Sequence, residues 1–440
     1  MAYCSKYLER INNRYFAIVG DGESQEGQIW EAAQFASHYK LDNLIAVIDV
    51  NRLGQTGVAM LEHDVATYVK RFEAFGFFVQ LVDGHDIPQI LNALEEARNC
   101  RGKPCCLIAK TMKGKYFGEE IENLIGWHGK PMKGKTEAVV KGIQAHIVNK
   151  DAKLPITLPK YQTYIFPKVE TYTVKPDYKK DQLESTRSAY GHALLQFGPQ
   201  NIHNRINVLD AETSGSTCCK PFGQKYPRNF VECYIMEQNM VSAAAGFAAR
   251  RRVPFVSTFA AFFSRAYDQI RIVGLSKLNV KFVGSHVGVS IGGDGPTQMG
   301  LEDLAMFRAI PGSVVFYPSD AVSAQWATML SANRFGLDYI RTSRPKTQVP
   351  YPGISSLITI DRLRQQRNLR NRKVQGRQAV RVRPDLRRHC WRHAGDHAPG
   401  PRHPEGPGHQ HQSHRPVHHQ ADRPCYRRPR SCEPGEDSGG

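Results

Sequence analysis

Long apolar runs, paired cysteine spacings and an apolar leader are all missing from this sequence. No stretch of 18 apolar residues occurs among its 440 residues, so it holds no candidate for a membrane-spanning helix. The first residues, MAYCSKYLERINNRY, lack the apolar segment of a secretory signal peptide. The ten cysteines include no CxxC pair, and a disulfide framework is not expected at this length. These absences favour a reduced, cytoplasmic protein with no membrane partner.

Lysine is nearly absent from the C-terminal part of the chain. Residues 359–440 carry 18 Lys and Arg against eight Asp and Glu, and Lys373 is the only lysine among them. A selected basic tail usually mixes lysine with arginine. From about Gly353 the bias toward Arg, His, Pro and Gly is instead typical of GC-rich codons read in a shifted frame. Residues 351–440 are therefore interpreted as a disordered, frameshifted tail.

The net charge of +18 does not by itself predict a nucleic-acid partner. More than half of it lies in the tail, and the remaining mild positive charge suits small anionic ligands. A disordered Arg/His tail that binds RNA or a metal ion is the alternative interpretation. It is less favoured because the tail lacks interleaved aromatic residues and Cys/His zinc spacing.

Apolar strands that alternate with helices predict a doubly wound, parallel α/β fold. In the first part, Tyr15–Val19 and Leu44–Ile48 are strand-like runs, and a helical pattern between them extends to His38. Two related α/β domains, residues 1–150 and 183–350, are expected on either side of a Pro/Lys/Tyr-rich linker, 151–182. In the second domain, helices are predicted at 185–197 and 240–250 and strands at 206–209 and 280–283.

Asp21 and Asn51 follow the two predicted strands of the first domain directly. Because both strand ends lie at the edge where parallel α/β sheets bind ligands, the two side chains are expected to lie close together. Carboxylate and amide oxygens are suited to Mg²⁺ or Ca²⁺ that also holds phosphate oxygens. The alternative is an ordinary Asp-Gly turn between a strand and a helix.

The segments GDGESQEGQIWEA and LDNLIAVIDVNRLGQTG resemble the thiamine-diphosphate signature of the transketolase family. Further segments that resemble this family follow in the same order: VDGHD, AKTMKGK, WHGK, ECYIMEQNMVS, STFAAFFSRAYDQIR, GSHVGVSIGGDGPTQMGLEDLAMFR, FYPSD and IRTSRP. The resemblance implies that residues 1–150 are the C-terminal half of a diphosphate-binding domain and that 183–350 form a pyrimidine-binding domain. It also implies that the other half of the first domain is missing before Met1.

The resemblance implies a two-carbon ketol transfer from a ketose phosphate to an aldose phosphate, as in the pentose phosphate pathway. Thiamine diphosphate, bound with Mg²⁺ or Ca²⁺, is the implied cofactor, and it supplies an electron sink for breaking a C–C bond. A homodimer is implied too, since active sites of this family lie between the first domain of one subunit and the second domain of its partner.

Cofactor roles are implied for residues of the matching motifs. Asp21, Asn51 and the backbone carbonyl of Leu53 are the implied metal ligands, and Glu237 is the glutamate that hydrogen-bonds the aminopyrimidine ring. The other implied cofactor residues are Gly22 beside the diphosphate, Glu26 and Glu31 near Glu237, and Phe259 and Phe262 against the pyrimidine ring. Single aromatic residues of this kind are more often simply core residues.

Substrate roles are implied in the same way. His128 and His286 are the implied proton-transfer groups, since imidazoles titrate near neutral pH. Arg187, Ser216, Asp294, Gln298 and Arg344 are the implied sugar-phosphate contacts. A lone histidine is more often structural, and an arginine on a helix is more often a surface charge, so these roles depend on the motifs.

Three hypotheses remain at this point. The chain is a transketolase with an incomplete sequence, a non-catalytic relative that acts only by dimerising, or a nucleic-acid-binding protein led by its tail. The joint presence of Asp21, Asn51, Glu237, Phe259 and His286 favours descent from a working enzyme. A half sheet with an unpaired edge predicts poor solubility in isolation.

Overall fold

The computed structural model describes residues 1–153 and 171–350. The predicted tail, 351–440, and residues 154–170 of the predicted linker lie outside the described residues, so both stay predictions. Within the two described ranges, no helix is long and apolar enough to cross a membrane.

Four parallel strands form the sheet of the first domain. The elements are β1 Tyr15–Gly20, α1 Gly27–His38, β2 Leu44–Val50, α2 Val65–Ala74, β3 Phe78–Asp83, α3 Ile87–Asn99, β4 Cys105–Lys110 and α4 Thr136–Ala145. The strand order is β1-β2-β4-β3. The side chains of Asp64 and Asp86 start α2 and α3 by accepting the N–H groups of Thr67 and Gln89.

The strands of the second domain are β5 Leu183–Ser185, β6 Ile206–Asp210, β7 Phe230–Glu232, β8 Val253–Phe259, β9 Lys281–Ser285, β10 Val314–Phe316, β11 Asp338–Arg341 and β12 Lys346–Gln348. Six of them form one parallel sheet, in the order β10-β11-β9-β8-β6-β7. Its helices are α5 Thr186–Phe197, α6 Lys220–Lys225, α7 Glu237–Ala249, α8 Tyr267–Leu275, α9 Asp303–Arg308 and α10 Ala321–Asn333. Strands β5 and β12 form a separate antiparallel pair.

The prediction of a doubly wound, parallel α/β fold is confirmed by these two sheets. The starts of two helices, α1 and α7, differ from the starts predicted from the sequence, and polar residues lie at both. A short 3₁₀ turn, Glu23–Gln25, precedes α1, and α7 begins three residues before the predicted position, at Glu237. An acidic residue in the first turn of a helix is favourable because it faces the positive end of the helix dipole.

The two domains pack against each other through α1 and α7. The side-chain amide of Gln28 on α1 donates to Ser242 Oγ at 2.6 Å and accepts from Gln269 at 2.7 Å. On the same helix, Glu31 accepts the backbone N–H of Asn239 at 2.9 Å. One continuous cluster of buried apolar side chains extends across this contact. The glutamates of both domains are thereby brought together.

Strand β1 is the edge of the first sheet and is poorly covered. It pairs with β2 alone among the described strands. Phe16 is 58% exposed and Ile18 is 76% exposed, although both belong to the apolar run that predicts a buried strand. An open edge with apolar side chains is a site of self-association. The unpaired edge is thus present among the described strands, and poor solubility stays a prediction.

Candidate active site

Asp21 and the 51–53 loop lie together at the carboxyl ends of β1 and β2. Asp21 is buried, and its two carboxylate oxygens accept the N–H of Gly22 at 2.7 Å and the N–H of Arg52 at 2.5 Å. Asn51 Oδ1 accepts the N–H of Leu53 at 3.1 Å. The expected proximity of Asp21 and Asn51 is therefore present in the structure, and it depends on the intervening backbone N–H of Arg52.

The surroundings of Asp21 shift the pKa of its carboxyl in opposite directions. Burial raises the pKa of the Asp21 carboxyl, the two backbone hydrogen bonds lower it, nearby Asp49 raises it and Lys113 lowers it. Lys113 Nζ also donates to the Leu53 carbonyl at 3.0 Å. Sequence reasoning gave Lys113 no role, although its motif AKTMKGK was recognised and could have drawn attention to it.

The donor atoms here fit a hard cation. A carboxylate, an amide oxygen and a backbone carbonyl are the ligand types that Mg²⁺ and Ca²⁺ take in proteins. The described residues contain no group of three or more His, Cys, Asp and Glu side chains able to hold a metal by themselves. A cation at Asp21, Asn51 and Leu53 would thus need further oxygens from a ligand or water.

Glu237 lies buried at the start of α7, beside Glu31 of the first domain. Its Oε2 has no hydrogen-bond partner, and the nearest cation is Arg265, whose Nε is 4.0 Å away. Burial raises the pKa of the neighbouring Glu31 carboxyl, and the charge of Glu237 adds to that effect. Glu26 is exposed just before α1, so Glu31 is the glutamate that adjoins Glu237.

Three rings form a stack at the carboxyl ends of β8 and β9. The rings of Phe259 and Phe262 are 4.9 Å apart and inclined by 3°, and the His286 imidazole stacks on Phe259 at 3.8 Å. Burial, followed by the positive charges of Arg187 and Arg344, lowers the pKa of His286 to about 4. The imidazole is therefore neutral at pH 7.

The hydrogen bonds of His286 indicate which ring nitrogen carries the proton. Ser285 Oγ lies 3.0 Å from Nδ1, and its hydroxyl donates to the Thr258 carbonyl at 3.5 Å. Arg187 Nη1, which can only donate, lies 3.5 Å from Nε2. We therefore assign the proton to Nδ1, which leaves Nε2 as an acceptor on the arginine side.

Two arginines flank this imidazole. Arg187 is half-buried on α5 and donates to the Ser216 carbonyl at 2.9 Å. Arg344 donates to Asp294 Oδ2 at 2.9 Å and to the Ile291 carbonyl at 3.3 Å. Ser216 thus meets Arg187 through its backbone, and Arg187 is not the surface charge that its helical position alone would suggest.

The two remaining candidates lie apart from these contacts. Gln298 ends the 3₁₀ turn Pro296–Gln298 in the loop that carries Asp294. His128 is exposed in the first domain, where its Nδ1 lies 3.3 Å from Lys113 Nζ. Two groups of side chains are thus formed: the Asp21 group, with Asn51, Leu53, Lys113 and His128, and the His286 group, with Ser285, Arg187, Arg344 and Asp294. Among the described residues, no hydrogen bond or ion pair joins the Asp21 group to the His286 group. Near the site, the described contacts between the domains run from α1 to α7 and α8, through the side chains of Gln28 and Glu31.

Comparison with known families identifies both domains. The model for "Transketolase, thiamine diphosphate binding domain" matches residues 2–170, and that for "Transketolase, pyrimidine binding domain" matches residues 184–349. These matches assign the chain to the α/β proteins that have a thiamine diphosphate binding domain. Both models are those of transketolase and together they match most of the chain, which therefore belongs to the transketolase family.

Named relatives agree with this assignment. Transketolase-like protein 2 of Mus musculus is 50% identical over 365 residues, which cover 81% of this chain and 57% of the relative. Transketolase of Homo sapiens is 46% identical over 357 residues, which cover 80% of this chain and 56% of the relative. The chain thus spans less than two thirds of the length of these relatives.

The fold agrees as well. A solved transketolase structure from Pichia stipitis superposes with a TM-score of 0.61 at 21% identity, over 79% of this chain and 60% of that structure. At this identity the likeness concerns the fold alone.

Proposed function

We propose that this chain functions as a transketolase, transferring a two-carbon ketol unit from a ketose phosphate to an aldose phosphate in the cytoplasmic pentose phosphate pathway. The observation that carries the proposal is the unpartnered, buried Oε2 of Glu237 at the start of α7. A buried carboxylate oxygen without a partner is unfavourable unless a ligand completes its hydrogen bonding. The aminopyrimidine ring of thiamine diphosphate would provide that partner.

Each domain contributes a different part of the cofactor site. Asp21, Asn51 and the Leu53 carbonyl would hold Mg²⁺ or Ca²⁺, and Gly22 would leave room for the diphosphate. Phe259 and Phe262 would cover the pyrimidine ring. Glu31 would lie beside Glu237, and Glu26 would lie there only if the site rearranged. When bound, thiamine diphosphate supplies the electron sink that accepts the electrons of the broken C–C bond.

The second domain would orient and deprotonate the sugar. His286 is neutral near pH 7, so its Nε2, which faces Arg187 Nη1 at 3.5 Å, would be the nitrogen that accepts a proton from a substrate hydroxyl. Arg187 and Arg344 would bind the phosphate, since guanidinium groups match phosphate oxygens geometrically. Ser216, Asp294, Gln298 and His128 would complete the contacts to the sugar. The Pichia stipitis transketolase with the same fold was solved in complex with sedoheptulose-7-phosphate, which supports a sugar phosphate substrate here.

We also propose that the working form is a homodimer. The Asp21 group and the His286 group belong to different domains, and no hydrogen bond or ion pair joins them within the described part of the chain. A site assembled from the first domain of one copy and the second domain of another would bring them together. The alternative is a catalytically inactive member of the family that acts only by dimerising.

Calorimetric titration of the 440-residue chain with thiamine diphosphate and Mg²⁺ tests the proposal. We expect saturable binding that Asp21→Asn weakens by about 10- to 100-fold, because a charged ligand contact contributes about 1.5–3 kcal/mol. Glu95→Gln, which removes an exposed charge from α3 in the same domain, is the matched control and should bind like the parent chain. Absence of binding by the folded parent chain would contradict the cofactor site. Binding without ketol transfer would favour the inactive alternative.

A further inference from the structure

His286 has a backbone conformation that residues with a side chain rarely adopt. Its φ of 57° lies in the left-handed region, which disfavours a non-glycine residue by about 1–2 kcal/mol. Such a conformation persists only where the surrounding structure holds it. The side-chain contacts to Ser285, Phe259 and Arg187 orient the ring, but the backbone needs a restraint of its own.

Gly300 provides that restraint. Its N–H donates to the His286 carbonyl at 3.2 Å, and its carbonyl accepts the N–H of Gly288 at 2.8 Å. The two hydrogen bonds lie on either side of Val287, which forms a β-bridge with Gly300. Gly300 also packs so closely on Ala260 that an added Cβ would lie 2.5 Å from Ala260 Cβ. Gly300 therefore restrains the path of residues 286–288 through two hydrogen bonds, and the Thr342 carbonyl, which accepts the N–H of Val287 at 3.4 Å, adds a weaker one.

A buried ion pair fixes Gly300 in turn. Arg341 Nε and Nη2 donate to the two oxygens of Asp303 at 2.8 and 3.2 Å, and Nη2 also donates to the Gly300 carbonyl at 2.8 Å. Tyr339 donates its hydroxyl to Asp303 at 2.6 Å, and the Arg341 guanidinium lies 4.5 Å from the centre of the Tyr317 ring. Both ionic side chains are buried, so neither has an alternative partner in water.

A buried ion pair of this kind contributes little net stability over well-packed apolar residues. What an apolar pair could not provide is the hydrogen bond to the Gly300 carbonyl. We propose that the Asp303–Arg341 ion pair is a positioning device for the candidate active site: through the backbone of Gly300 it holds His286 in its left-handed conformation. A role in catalysis rests on the proposed function. The geometry of His286, however, can be measured without an activity assay.

The Asp303–Arg341 ion pair also holds the end of the loop that carries Asp294. Residues 287–300 form a loop whose two ends, Val287 and Gly300, meet in a β-bridge, and within this loop Asp294 and the Ile291 carbonyl bind Arg344. The charged groups that face His286 are Arg187, Arg344 and Asp294. If Gly300 were no longer held in place, the positions of these groups relative to the imidazole would change. The imidazole would gain water and lose its fixed distance to the arginines.

A second buried ion pair in the same sheet provides a matched control. Lys281 and Asp338 are joined at 2.8 Å and are also fully buried. Asp338 begins β11 and Arg341 ends it, so the two pairs lie at opposite ends of one strand. The Lys281 ammonium donates to the carbonyls of Arg334 and Gly336, which belong to the turn before β11 and not to the active-site loop.

Histidine-selective NMR of the full 440-residue chain tests the proposal. With ¹³C-labelled histidine, the His286 signal is identified by its loss in His286→Asn. In the parent chain we expect this imidazole to stay neutral from pH 8 down to pH 5, because burial holds its pKa at about 4. In Asp303→Asn the pKa should rise toward the ordinary value of 6.5, so that His286 titrates within this range. In Asp338→Asn it should remain neutral.

A His286 that stays neutral over this range in folded Asp303→Asn would overturn the proposal, as would an equal change in Asp338→Asn. If Asp303→Asn does not fold, Arg341→Lys replaces it, since lysine keeps the charge but cannot reach Asp303 and Gly300 with one rigid fork. Tyr339→Phe leaves the Gly300 contact intact and should behave like the parent chain. A lack of ketol transfer by the parent chain would count against the proposed function and leave this titration valid.

Discussion

At the scale of single residues, Glu237 is the clearest case of a side chain arranged for a ligand. Its buried Oε2 is unpartnered, and Arg265 offers only a distant contact from a largely exposed position, where an ion pair contributes little. The carboxylate therefore weakens the unliganded chain. A group that destabilises the free protein and contributes to binding is typical of an active site, where stability and function oppose each other.

Glu237→Gln should separate these two effects. Removing the buried charge is expected to stabilise the ligand-free chain by about 1 kcal/mol and to weaken thiamine diphosphate binding at the same time. Thermal unfolding without ligand and calorimetry with it provide the two measurements. Glu73→Gln, an exposed glutamate on α2, is the control and should change neither. A variant that is both less stable and unchanged in binding would show that Glu237 is a structural residue.

At the scale of elements, Asp210 organises the loop that follows β6. Its carboxylate accepts hydrogen bonds from the Thr213 N–H and hydroxyl, the Thr217 hydroxyl and the Cys219 thiol. This loop presents the Ser216 carbonyl to Arg187. Burial raises the pKa of Asp210 to about 6 in spite of these hydrogen bonds. The hydrogen bonds that hold this loop therefore depend on the Asp210 carboxyl group, which titrates near pH 6.

The raised pKa predicts a pH dependence of stability with a definite sign. The folded chain binds the Asp210 proton more tightly than the unfolded chain, whose carboxyl has the ordinary pKa of 3.8. This contribution to stability is fully present below pH 3.8 and is lost as pH rises through about 6. Asp210→Asn removes it, so the stability advantage of the parent chain over this variant should be larger at pH 4.5 than at pH 7.

Urea denaturation at the two pH values measures this difference. Asp268→Asn, which removes an exposed carboxylate from α8, is the control and should show no such change between pH 4.5 and 7. An advantage of the parent chain that stays constant, or that grows with pH, would contradict the assignment of the titrating group to Asp210.

At the scale of the whole molecule, the sequence predicts the sheets better than the contacts between distant residues. Apolar runs and their spacing suffice for β1 and β2, and the rule that ligands bind at the ends of parallel strands suffices to bring Asp21 and Asn51 together. The ion pair of Asp303 with Arg341 could not be predicted in this way. It joins residues 38 positions apart, the last residue of β11 and the first residue of the short helix α9, and neither element is long enough to show a periodic signal.

The same limit applies to Glu26 and Glu31. Glu26 and Glu31 belong to one motif, and the sequence gives no reason to treat them differently. The helix begins at Gly27, so Glu26 precedes it and is exposed, while Glu31 lies one turn into the helix and faces α7. The exact start of a helix decides which side chains share a face, and helix starts are the least certain part of a sequence-based prediction.

The open edge of the first sheet predicts that copies of the chain associate with one another in solution. Strand β1 has one partner strand among those described, and Ile18 is 76% exposed on it. Pairing of this edge between copies would bury apolar surface and satisfy free backbone groups, which favours aggregation. Lysine on an edge strand opposes such pairing. Ile18→Lys should therefore reduce aggregation several-fold, and it should change the free energy of unfolding by less than about 0.5 kcal/mol, as exposed substitutions usually do.

Light scattering across a concentration series measures the effect. Met60→Lys is the matched control, because Met60 is 73% exposed but lies outside the sheet. Both variants add one positive charge and remove one exposed apolar side chain, so general changes in charge and hydrophobicity affect them equally. A reduction confined to Ile18→Lys would identify the β1 edge as the surface of self-association. An equal reduction in both variants would mean that net charge, rather than strand pairing, controls the behaviour of the chain.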